Sequence, residues 1–95
     1  MKFDWDENKA QRNFEKHGVK FKHVIHVFSD ADRVIQDDDK WDYGEDRFKL
    51  IGKYQSRLYA IIFTKRGEEY YRIISARKAD KDEKREYWEN SHIHL

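Results

Sequence analysis

Cysteine is missing from the 95-residue chain, so no disulfide framework and no thiolate metal site can exist. Proline is missing as well, and neither a low-complexity tract nor an internal repeat interrupts the sequence. Glycine occurs four times, never in the clustered pattern of a phosphate-cradling loop, and no H-E-x-x-H pair is present. No apolar run approaches the ~18 residues a membrane span needs. The opening MKFDWDENKA is charged within ten residues, unlike a secretory signal. The expectation is a cytoplasmic protein without membrane attachment, forming one domain over residues 1–95.

What the chain has is charge and rings. Aromatic residues make up 16% of it, which argues against disorder despite the high charge, because each buried ring removes a large area from water. The net charge of +1 conceals a segregation. Residues 29–46 hold eight carboxylates against Arg33 and Lys40, whereas residues 47–79 hold nine cations against Glu68 and Glu69. A basic segment of this kind suits a polyanion or an acidic partner, the alternative being a solvated strand face.

Patterning predicts an α+β domain. A short extended segment, FDWD, precedes a helix capped by Asp6 and stopped by Gly18 after His17. Phe21, Val24, Ile25 and Phe28 fall at helical spacing and predict a second short helix. RVIQ (33–36) reads as a strand and the acidic stretch 37–46 as a loop. A meander of three strands follows, RFKLIGKY (47–54), LYAIIFTK (58–65) and EYYRIISAR (69–77), giving an antiparallel sheet of about four strands. Asp80 and Glu83 form a D-x-x-E capping box that launches a closing helix to about Asn90, with Tyr87 and Trp88 facing the sheet.

Candidate chemistry centres on the cations. Alternation sets Arg47, Lys49 and Lys53 on one face of their strand. RIISARKA (72–79) gathers Arg72, Ser75, Arg77 and Lys78. A charge at Arg72 inside a strand needs an anion, for which Glu45, Glu83 and a ligand phosphate are the candidates. Strict alternation places Arg72 and Arg77 on opposite faces, and they converge only through a bulge or an early strand end. His23 and His26 stand three apart on the second helix, but no third metal ligand accompanies them. His92 and His94 lie in a tail. Ser75 has no His–Asp relay.

A cation-rich site without a nucleophile suits RNA cleavage by the RNA's own 2′-hydroxyl. The protein then supplies a base for the 2′-OH, an acid for the leaving 5′-oxygen, and cations for the phosphorane oxygens. The planar fork of Arg fits the last role. Glu45 and His17 are candidates for the base; Lys16, His17 and Tyr87 are candidates for the acid. No metal and no cofactor is required.

The chain resembles the BrnT family of type II toxin–antitoxin ribonucleases. The matching stretches are FDWDENKAQRNFEKHGVKF (3–21), VF (27–28), GEDRFKLIG (44–52) and RIISARKADKDEKREY (72–87), in that order. The resemblance implies a small RelE-like domain that cuts RNA without a metal and inhibits translation. It implies neutralisation by a BrnA-like ribbon-helix-helix antitoxin, through which alone operator DNA would be contacted. It also implies Lys16, His17, Glu45, Arg47, Arg72 and Arg77 as active-site candidates; beside them, Lys49, Lys53, Lys78 and Tyr87 are the candidate substrate contacts of the sequence reading itself. The alternatives are a non-catalytic module that binds nucleic acid or an acidic partner, and a degenerate toxin retained for its antitoxin complex.

Overall fold

The structure is a computed structural model describing residues 1–38 and 44–91. Part of the acidic loop, including Asp39, Lys40 and Asp42, lies outside the described residues, as do His92 and His94. The elements are β1 (Lys2–Asp4), α1 (Glu7–His17), α2 (Phe21–Val24), a 3-10 turn (Ile25–Ser29), β2 (Val34–Asp37), β3 (Phe48–Tyr54), β4 (Arg57–Arg66), β5 (Tyr70–Lys78) and α3 (Lys81–Ser91).

Five strands form one sheet in the order β1-β5-β4-β3-β2. The expected antiparallel meander is present, with β4 at its centre. The expected count of about four strands falls short by one. The first half of FDWD, with Lys2 before it, becomes the edge strand β1, which pairs parallel to β5 and makes the sheet mixed. Three residues are too short a run for alternation to register, so pattern alone could not place it. The second helix also differs: after one α-turn it tightens to 3-10 geometry.

The local reasons for each element are legible. Asp6 accepts a hydrogen bond from the Lys9 N–H at 3.0 Å and so caps α1. Gly18 ends α1 at φ 68°, where its N–H reaches the Phe14 carbonyl. The capping box forms reciprocally: Asp80 N–H donates to Glu83 Oε1 and Glu83 N–H donates to Asp80 Oδ1, both at 2.9 Å.

Alternation along the strands creates two cores. On one face Leu50, Ile61, Phe63, Ile73 and Ala76 pack under Val19, Phe21, Val24, Val27 and Phe28. Phe28 meets Phe63 and Phe3 edge-on at centroid separations of 5.0 and 4.9 Å. The 3-10 turn approaches β3 closely at Gly52, where a Cβ would sit 3.0 Å from Val27 Cβ. Among the described residues, the opposite face is covered at its β2–β3 end, by α3, where Ile51, Leu58, Ala79 and Tyr87 form a smaller core. No helix of the described residues lies over the β4–β5 end of this face.

Two polar clasps tie these layers. The Asp30 carboxylate accepts from Lys53 N–H and from the Tyr87 hydroxyl, both at 2.8 Å. Burial opposes its ionisation, but these bonds and one from Asp32 N–H hold its pKa below the ordinary value. Asn13 is the other clasp. Its amide donates to the Val19 and Ala76 carbonyls at 3.0 and 2.8 Å, and its oxygen accepts from Ala76 N–H at 3.1 Å. It thereby takes over the edge of β5 beyond the end of β1. Asn13→Ala leaves three backbone groups without that partner and should cost about 2–3 kcal/mol, read as a lowered urea midpoint with an unchanged m-value.

Candidate functional site: an arginine-bearing sheet face

The open face acquires its charge from a single irregularity. Between β4 and β5 the register runs Thr64↔Arg72 and Phe63↔Ile73, then jumps to Ile62↔Ser75 and Ala60↔Arg77. Ile74 is the extra residue, a bulge that reverses the alternation of everything after it. Cross-strand partners share a face, so Arg72, Ser75 and Arg77 all stand beside Thr64, Ile62 and Ala60. On the far side of β4, Lys49 pairs with Ile62 and Ile51 with Ala60. The convergence that strict alternation forbids is therefore achieved. Arg72 and Arg77 are separated by about 13 Å along the strand, four paired residues' rise.

Each cation of the arginine face has a carboxylate nearby. Arg72 meets Asp4, its parallel neighbour on β1, at 3.3 Å, and both are partly solvated. Asp4 is none of the anions anticipated for it. Arg47, just before β3, is 3.9 Å from Glu45, too long for a firm pair. Glu83 is only 3% exposed and gathers the most. Arg77 grips it with both terminal nitrogens at 2.6 and 2.9 Å, and Lys49 Nζ approaches to 3.0 Å. Burial alone would raise the Glu83 pKa; the bonds from Arg77, Asp80 N–H and Lys49 outweigh it and bring it to about 2. The same contact with Glu83 raises the pKa of Arg77. Glu83 thus spans β4 from beneath α3, holding one cation from each neighbouring strand.

The remaining candidates divide. Lys16 and His17 end α1, which packs against β5 in the layer on the other side of the sheet. Tyr87 is 1% exposed with its hydroxyl committed to Asp30; burial first, then the Asp30 bond, drives its pKa upward. Lys53 and Lys78 lie further along the strands, at the end where β4 begins. His26 stacks on Tyr54 at 5.0 Å. Among the described residues, no three His, Asp or Glu side chains gather as a metal site, and no helix is long and apolar enough to cross a membrane. Sequence reasoning missed Asp4 as a site residue. The signal was present, in the second position of an F-D-W-D segment, but its use required the parallel pairing.

Comparison with known proteins places the fold. The chain matches the 1.1 Å crystal structure of the Brucella abortus ribonuclease toxin BrnT at a TM-score of 0.66 and 31% identity, covering 85% of this chain and 99% of that one. No curated protein matches. The class is therefore that of ribonuclease toxins from type II toxin–antitoxin systems. A family model described as the ribonuclease toxin BrnT of such a system matches residues 5–83. The chain belongs to the BrnT family. Membership of a type II toxin family implies an antitoxin partner.

Proposed function

We propose that the protein is a metal-independent endoribonuclease whose phosphate grip is the open sheet face carrying Arg47, Lys49, Arg72 and Arg77. The observation that supports this most is the Ile74 bulge, which turns Arg72 and Arg77 to the same side. A regular strand would put the two arginines on opposite faces of the sheet, one of them toward the apolar core.

Glu45 is the candidate base, at the same end of the face as Arg47 and Arg72. It takes the proton from the 2′-hydroxyl as that oxygen attacks phosphorus and the bond to the 5′-oxygen breaks. The arginines share the charge that develops on the non-bridging oxygens. Among the acid candidates, Tyr87 is buried and Lys16 and His17 belong to the opposite layer, so we assign protonation of the 5′-oxygen to water. Substrate phosphate replaces Asp4 on Arg72, an exchange made inexpensive by the solvation of that pair. The Glu83 pair is firmer, so Arg77 acts in its clamped orientation.

Loss of RNA integrity in this way stops translation, and a BrnA-like antitoxin covers the basic face with acidic side chains. Carboxylates beside every arginine of the face favour one rival reading, a surface that binds without cutting. Expression of the chain alone decides between them. RNA fragments ending in 2′,3′-cyclic phosphate are expected, formed equally with excess EDTA. Intact RNA and normal growth would support the binding module, and cleavage abolished by EDTA would end the claim of metal independence.

A further inference from the structure

Beyond Arg77 the same end of the sheet opens into a second basic feature. A groove of about 500 Å³ is lined by Lys53, Ser56, Arg57, Leu58, Lys78, Lys84 and Trp88. Four of these side chains are cationic, and no carboxylate of the described residues lines it. Trp88 is 45% exposed although it neighbours the fully buried Tyr87, and the Lys53 ammonium lies over its ring at 5.3 Å. The β3–β4 turn bordering the groove holds Gln55 and Ser56 at φ 50° and 66°, a left-handed conformation that side chains rarely adopt and that Asn-Gly would accept more easily. Positive φ at both positions is what a two-residue turn matched to the twist of its strands requires. Lys84 and Trp88 also fall past residue 83, where the family match ends.

We infer that this groove is a subsite for the single strand flanking the cleaved link, in which a base stacks on Trp88 while Arg57 and Lys84 hold adjacent phosphates. The inference rests on the ribonuclease reading above and extends it from a dinucleotide to a longer substrate. An aromatic platform among cations is the arrangement that binds single strands with little sequence preference. An acidic polypeptide would use the cations but would have no need of an exposed indole. The groove continues the arginine face: Arg77 pairs with Ala60, and Leu58 of the groove is the next residue on the same side of β4. One strand of RNA can therefore occupy both.

The test uses end-labelled RNA carrying 2′-O-methyl groups throughout, which binds but cannot be cut, as a trimer and as a decamer. Fluorescence anisotropy should show the parent protein binding the decamer at least tenfold more tightly than the trimer. Trp88→Ala should remove most of that gain, with Trp88→Phe restoring much of it. The double variant Arg57→Ala/Lys84→Ala should also weaken decamer binding about tenfold. It should flatten the slope of log affinity against log salt by roughly 1.4, about 0.7 for each single-strand phosphate that is no longer neutralised. All these substitutions are at the surface, and circular dichroism confirms folding. Variants that bind the decamer as tightly as the parent would overturn the subsite while leaving the ribonuclease reading in place. Retained RNA affinity with lost affinity for a glutamate-rich peptide would assign the groove to an acidic protein and overturn it equally. A parent protein that neither binds nor cuts RNA would instead sink the ribonuclease reading itself.

Discussion

Arg72→Ala is expected to lower RNA cleavage by about a hundredfold or more while leaving the melting temperature close to that of the parent. Removal of one charge-stabilising donor from a transition state typically costs about 10²–10³ in kcat, about 3–4 kcal/mol. Stability should hardly change, because the Arg72–Asp4 pair is partly solvated, with side chains 33% and 46% exposed. Pairs of that kind contribute at most about 1 kcal/mol. Arg77→Ala should inactivate to a similar degree but behave differently on heating. It strips two short hydrogen bonds from a buried carboxylate and should cost about 2 kcal/mol, moderated by the remaining Lys49 and Asp80 contacts. The two variants separate the roles of two arginines that the sequence presents as equals. Steady-state cleavage of a labelled RNA beside thermal melts checks both. Equal activity of Arg72→Ala and parent would remove Arg72 from the reaction.

The second large effect belongs to Glu83. Glu83→Ala leaves Arg77 and Lys49 without their shared counter-ion, dissolves the capping box, and should destabilise by about 3–5 kcal/mol. Against a typical domain stability of about 5–15 kcal/mol, such a variant is poorly folded at 37 °C. The pH dependence of the parent has a definite sign. The folded pKa of about 2 lies below the ordinary 4.5, so the native state binds this proton less readily than the unfolded chain. The stabilisation is fully present above about pH 4.5 and disappears as pH falls toward 2. The difference corresponds to about 3 kcal/mol. Urea midpoints of the parent should decline across that window, and Glu83→Gln, already without the charge, should show a visibly shallower decline. Parallel acid limbs for the two proteins would mean that Glu83 does not carry the effect.

Much of the fold was legible because its signals are local. Asp6 and Gly18 delimit α1, Asp80 and Glu83 start α3, and the apolar run of β4 marks a central strand; each depends on neighbouring residues alone. The candidate face was only half legible. Lys49 and Lys53 share a side through plain alternation, which β3 preserves, and Arg47 stands just before that strand. Arg72 and Arg77 required the Ile74 bulge, and nothing in R-I-I-S-A-R shows which residue is set aside, since Ile73 and Ile74 are identical in type. The partner of Arg72 was not legible, because a three-residue edge strand finds its place only through pairing with a strand some 68 residues away. Glu83 was visible as a cap, but its second task, joining cations from β3 and β5, depends on where α3 crosses the sheet. Tyr87 was legible as a contact of the closing helix with the sheet, but only the packing of α3 shows that its hydroxyl is committed to Asp30 and not free to act as an acid.

Two guanidiniums, turned to one side by a bulge, must take hold of the same stretch of RNA. Nuclear magnetic resonance of the arginine Nε–Hε groups during titration with a non-cleavable 2′-O-methyl RNA reads this directly. The signals of Arg72 and Arg77 should move together and fit one dissociation constant. An Arg72 signal that stays still on its Asp4 carboxylate while the RNA binds elsewhere would contradict it.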